Sequence, residues 1–305
     1  MVYLFKNKAG QYRSGWVILL AFFIMMVGQL IFMFPGLTMV SLLEMTQDGA
    51  YIEIDMLNMN HPWMILMTQG AGTFGGLAAT FVVWRAINKR PVRELGIRGL
   101  DRDFWFGIFL GAISITFIFF ILFITGNVSL ENTVPQITMF TFSYLILFIL
   151  VGYFEETFFR GYVMNIMASR GNKKWVIYVV SALLFSIVHG ANPNVSFFGL
   201  VNILLVGILF AYMFDVTKSL MLPIGYHITW NFFQGNVFGF PVSGTPPNGM
   251  FAVDISGGNE LLTGGSFGLE GGILATIAIG LGFAVTRFYA RGSKKEIAPV
   301  GETDA

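Results

Sequence analysis

The chain has 305 residues, of which 55% are hydrophobic and 11% charged, with 33 Phe, 16 Met and a formal net charge of +1. Its mean hydropathy of +0.70 lies outside the range of soluble globular domains and excludes one. The absence of cysteine excludes a disulfide, a thiolate nucleophile and any Cys-ligated zinc or iron–sulfur centre.

In chain order, apolar windows at about 16–42, 63–87, 104–125, 138–168, 175–190, 197–215, 219–236 and 271–290 meet or approach the roughly 20 residues a helix needs to cross hydrocarbon. The pattern predicts an all-α, polytopic membrane protein with about eight transmembrane helices. The first window runs on without a small-residue cleavage site near a short apolar core, so it is expected to remain as a helix and not be removed as a leader. "GIFLG" at 107–111 is a small-xxx-small pair suited to close helix contact.

The connections at 43–62, 126–137, 191–196 and 237–270 contain no Lys or Arg, and they hold Glu44, Asp48, Glu53, Asp55, Glu131, Asp254 and Glu260. Of 18 basic residues, 17 fall in the termini and the alternate connections; Arg160 is the exception. The positive-inside rule then predicts that the N- and C-termini are both cytoplasmic. Residues 1–305 are expected to form one membrane-embedded domain, with its chemistry in 138–236. The Gly/Pro-rich loop 237–270 is expected to be irregular and extracytoplasmic, a flexible linker in the favoured reading and a lid or docking surface in the alternative.

Ionisable groups at bilayer depth cost at least ~2.5 kcal/mol each, so they face the bundle interior and mark function by default. The spans hold Glu155, Glu156, Arg160, His189 and His227, with Asn231 as a polar companion. Glu156 and Arg160 are an i,i+4 pair able to neutralise one another, whereas Glu155 is turned about 140° from Arg160 and has no basic partner on its face. The turn at 169–174 makes spans four and five antiparallel neighbours. Glu155 and His189, each 17 residues from Asn172, are therefore expected at one level as a water-activating couple. His227 and Asn231, again i,i+4, present two donors to one place, as an oxyanion requires. The fourth span is longer than a bilayer needs, so it is expected to tilt, to extend beyond the membrane or to bend near Gly161, with a cavity opening toward the cytoplasm.

"EETFFR" (155–160), "FSIVH" (185–189) and "HITWN" (227–231) together resemble the EExxxR, FxxxH and HxxxN motifs of the CPBP (CAAX protease and bacteriocin-processing, or Abi) family of intramembrane proteases. The resemblance implies an endopeptidase in which Glu155 acts as general base with His189 and in which His227 and Asn231 form the oxyanion site. It gives Glu156, Arg160 and Phe185 structural or orienting roles. Eukaryotic and archaeal members remove the tripeptide after a prenylated CAAX cysteine. That substrate does not carry over, because the loop before the last span resembles the bacterial branch, whose members are linked to bacteriocin self-immunity or peptide processing. The expected partners are a membrane-anchored peptide or protein substrate and the lipid bilayer of a bacterial plasma membrane, with no nucleic acid. No cofactor is expected. Zinc held by Glu155, Glu156, His189 and His227 is a minor alternative, and a proton-coupled transporter, an immunity protein or a partner-binding scaffold is the non-proteolytic one.

Overall fold

The computed structural model describes residues 2–7, 9–48, 62–246 and 248–292. Glu53 and Asp55 of the first acidic connection, Lys8, and Lys294 and Lys295 of the basic C-terminus lie outside the described residues. The spans are α1 (Ser14–Asp48), α2 (Pro62–Ile87), α3 (Arg102–Ile124), α4 (Met139–Ser169), α5 (Lys174–Ala191), α6 (Phe197–Thr217), α7 (Met221–Phe232, continued by a wider π segment Phe233–Val237) and α8 (Ile273–Gly292). The only described sheet is a two-residue pair, β1 (Ser129–Leu130) with β2 (Val253–Asp254). This is an all-α multi-pass membrane protein.

Seven of these helices, all but α7, are long and apolar enough to cross a bilayer. The predicted span 219–236 is helical but falls short because it is both brief and polar. It carries His227, Thr229, Asn231, Gln234 and Asn236, all buried. Such a helix is stable at membrane depth only when surrounded by protein, and α7 is: every residue from Met221 to Asn231 is buried. The lipid-facing role passes to outer helices such as α1, whose Leu19, Phe23, Leu30, Ile31 and Phe34 are exposed.

Small residues let α7 approach its neighbours. A Cβ on Gly107 would collide with the Leu222 carbonyl, one on Gly111 with the Tyr226 carbonyl, and one on Gly225 with the Phe104 carbonyl. The "GIFLG" pair is thus the contact surface of α3 against α7, where van der Waals packing replaces the hydrophobic drive that lipid removes. Thr229 Oγ1 donates across this seam to the Ile108 carbonyl at 2.9 Å. On the other side of α7, Gly152 of α4 packs against Ile228 and the Ile224 carbonyl.

The connections gather at two ends. Arg170 Nε donates to Tyr12 O, Asn165 Nδ2 to Glu94 O and Arg98 Nη2 to Lys218 O, and Lys174 pairs with Asp215, so the basic connections meet one another. At the opposite end Asn192 Nδ2 donates to Ser243 O, Asn259 N to Asn127 Oδ1 and Gln136 N to Met250 O.

The 237–270 segment is packed, in contrast to the flexible linker its composition suggests. Phe240, Phe267 and Leu269 are almost fully buried. Its glycines supply turns that other residues resist: Gly264 has φ +78° and Gly268 has φ +99°, and their backbones touch closely enough that a Cβ on Gly264 would strike Gly268 O. Composition signalled irregular backbone, but four aromatic residues spaced through it were the signal for burial.

If the glycine seam fixes α7, Gly107→Val should force the helices apart and cost about 1–3 kcal/mol or more, as overpacking does. The expected result is a clearly lowered thermal midpoint in detergent, with Gly280→Val, where a Cβ meets nothing within 4 Å, unchanged.

Candidate active site

Glu155 and Glu156 close the regular part of α4, and the next eight residues, Thr157–Met164, form a π segment that is buried throughout. Such widened turns inside α-helices are frequent at functional sites. Here it shows how the long fourth span is accommodated: the helix runs on through 31 residues, Met139–Ser169, with a wide segment around Gly161. Ser181 Oγ of α5 donates to Phe159 O within the π segment at 2.8 Å, giving a loosened carbonyl a partner.

Glu156 Oε1 is the hub of the site. It accepts from Arg160 Nη1 at 2.9 Å and from His227 Nδ1 at 2.9 Å, with both the Glu156 and Arg160 side chains fully buried. Arg160 Nη2 donates to Gly207 O at 3.2 Å, and the guanidinium lies 4.3 Å from the Phe185 ring centre and 5.2 Å from that of Phe210. The desolvated cation is held by a carboxylate, a carbonyl and aromatic faces, while Arg160 Nε and Glu156 Oε2 have no hydrogen-bond partner among the described residues. Because Glu156 faces Arg160 as a carboxylate, the hydrogen on this contact belongs to His227 Nδ1, which leaves Nε2 turned to the cavity.

Glu155 is the less buried glutamate, with 19% of its side chain exposed. Its Oε2 lies 3.7 Å from His227 Nε2, too far for a hydrogen bond, and has no hydrogen-bond partner among the described residues. No hydrogen bond or ion pair among the described residues joins it to His189, the partner that depth assigned. Both nevertheless line one cavity of about 150 Å³, together with Phe185, His227 and Asn231.

His189 lies where α5 gives way to a short 3-10 turn, His189–Ala191, before Pro193. Its Nδ1 contacts the Phe185 carbonyl at 2.7 Å; a carbonyl only accepts, so Nδ1 carries the hydrogen and Nε2 is a free acceptor. Phe185 packs against the Arg160 guanidinium and near both imidazoles, with ring centres 4.6 Å from His189 and 6.1 Å from His227. Asn231, one turn from His227, makes no hydrogen bond among the described residues, so its amide donors are unspent.

Among the cavity residues that escaped the sequence reading are Phe210, Ser243 and Glu270. Phe210 of α6 packs 5.4 Å from the His227 ring, and nothing in its apolar span distinguishes it. Ser243 and Glu270 come from the far-end loop, so the cavity is completed from that end. The sequence expectation was an opening toward the basic end; the structure adds residues of the loop at the other end to the cavity lining. Glu270 is buried and accepts from Gln234 Nε2 and, at 3.3 Å, from Ser243 Oγ. Burial holds its carboxyl above the ordinary range, only partly offset by those donors. The signal for it was a carboxylate between glycines at the foot of the last span.

Fold and site together define a polytopic membrane protein with a Glu/His/His/Asn cavity enclosed by helices four to seven. Residues 137–233 match the family model described as Rce1-like, "Type II CAAX prenyl endopeptidase Rce1-like". Over this segment the chain is similar to that family of CAAX-type proteases, which are hydrolases. No curated protein and no solved structure matches the chain.

Removing one partner of a buried ion pair leaves an uncompensated charge and typically costs 3–5 kcal/mol. Arg160→Ala should therefore lower the thermal midpoint in detergent far more than Arg90→Ala, which breaks a surface pair with Glu94 worth ~1 kcal/mol or less.

Proposed function

We propose that the protein is an intramembrane endopeptidase that hydrolyses a peptide bond in a membrane-associated substrate through a water activated by Glu155 and His189. The observation that carries this reading is the single cavity shared by Glu155, His189, His227 and Asn231, with Glu156 anchored to Arg160 and unavailable for proton transfer.

Glu155 lines the cavity and takes the proton of the attacking water. His189, its Nδ1–H committed to Phe185 O, offers Nε2 to orient that water. As the water oxygen adds to the substrate carbonyl carbon, negative charge grows on the carbonyl oxygen. The Asn231 amide supplies one donor to it. His227 supplies a second only when both its ring nitrogens carry protons, a state for which the Glu156 carboxylate at Nδ1 is the counter-charge. Glu156 and Arg160 act by holding His227, and Phe185 by packing against the guanidinium and the His189 ring.

The enclosing helices are apolar, which suits a substrate that arrives from the bilayer. The basic end is assigned to the cytoplasm and the loop end to the outside of a bacterial plasma membrane, following the distribution of Lys and Arg. No cofactor enters this scheme.

A lipid-anchored fluorogenic peptide incubated with the purified protein in phospholipid vesicles tests it. Glu155→Gln and His189→Ala are expected to reduce cleavage to background, and Asn231→Ala to lower kcat about 10²–10³-fold, as loss of one oxyanion donor does. Wild-type rates from correctly folded Glu155→Gln would remove the reading.

A further inference from the structure

The cavity has a second carboxyl wall. Glu270 lines the same cavity as Glu155, His189 and His227, a space of about 150 Å³, enough for about five water molecules at ~30 Å³ each, or for one peptide group. One substrate amide within it is accordingly in reach of both carboxyls.

Glu270 is held on a built support. Gln234 Nε2 donates to its carboxyl and also to Pro241 O at 2.6 Å, tying the acid to both ends of the loop. Asn202 of α6 fixes the backbone: its Nδ2 donates to Glu270 O at 2.8 Å and to Gly272 O at 2.9 Å, while its Oδ1 accepts from Thr276 Oγ1 at 2.7 Å. A side chain pinned this thoroughly is positioned to fractions of an ångström, as a reacting group needs.

Charge bookkeeping separates the two cavity acids. Among the described residues no Lys or Arg lines the cavity, and Arg160 behind it is bound to Glu156. Glu270 is buried with neutral donors alone, an environment that favours the protonated form. Glu155 is partly exposed, and its Oε2 lies 3.7 Å from His227 Nε2. Two carboxyls in unlike surroundings on one cavity are the general pattern of an acid and a base sharing one reaction.

We propose that Glu270 is the general acid of the site, giving its proton to the nitrogen of the departing amine. This rests on the hydrolytic reading above. Water adds hydroxide to the carbonyl carbon and its proton goes to Glu155. The C–N bond then breaks, the electron pair stays on nitrogen, and nitrogen takes the proton of Glu270. The proton on Glu155 passes back to Glu270 through cavity water, which restores both groups with no co-reactant. The loop 237–270 thereby contributes to the chemistry and does not merely cover it.

The test pairs two probes in the full-length protein reconstituted in phosphatidylethanolamine–phosphatidylglycerol vesicles. One is a lipid-anchored fluorogenic peptide cleaved by the wild type and not by Glu155→Gln; the other is the same peptide with an ester at the scissile position. An alkoxide leaves with less need of a proton than an amine. Glu270→Gln is therefore expected to lower amide cleavage ~10²-fold or more, within the range of general acid catalysis, and ester cleavage at least tenfold less. Equal losses on both probes, or no loss on the amide, would overturn the proposal. Infrared spectroscopy of the resting protein at neutral pH gives an activity-independent readout: a protonated-carboxyl band present in the wild type and missing from Glu270→Gln is expected, and its absence from the wild type would contradict the assignment. Failure of the hydrolytic reading shows differently, as Glu155→Gln cleaving at the wild-type rate.

Discussion

The arrangement depends on one buried oxygen. Glu156 Oε1 accepts from both Arg160 and His227. That contact neutralises Arg160, the one fully buried Lys or Arg among the described residues, joins α4 to α7, and fixes which nitrogen of His227 faces the cavity. A buried ion pair is weak grounds for stability, since desolvation can exceed the Coulomb gain. Its value here is geometric. By tying up the second glutamate it leaves the first, one residue earlier and on another face, as the one of the two that lines the cavity.

Everything around that hub serves to bring polar helix α7 into the middle of an apolar bundle. The glycine seam with α3 lets backbones approach, Gly152 does the same for α4, and the π segment of α4 turns the residues after Glu156 fully inward. Phe185 and Phe210 pack on the guanidinium and beside the imidazoles, so the same two rings border both the charged hub and the cavity.

Much of this was legible from the residues. Hydropathy located the spans to within a few residues, because each must satisfy its backbone over the same bilayer thickness. Periodicity separated Glu156 from Glu155. What could not be read was pairing between helices distant in sequence: helix phase says which residues share a face, and counting from a turn gives depth, but neither says that His227 of α7 meets both glutamates while His189 turns its Nδ1 to its own helix. The loop was misjudged for a related reason. Its glycines look like freedom, yet Gly264 and Gly268 are there because backbones touch, and the burial of Phe240 and Phe267 orders the whole segment and delivers Glu270.

The claim that Glu156 sets the state of His227, and so frees Glu155 for chemistry, can be measured on the histidine itself. Nitrogen-15 spectra of ring-labelled histidine in the reconstituted protein, with His227 assigned through His227→Asn, report which ring nitrogen is protonated. The account predicts a protonated Nδ1 in the wild type, lost as a fixed state in Glu156→Gln. A wild-type His227 protonated on Nε2 alone, with Nδ1 bare, would contradict it.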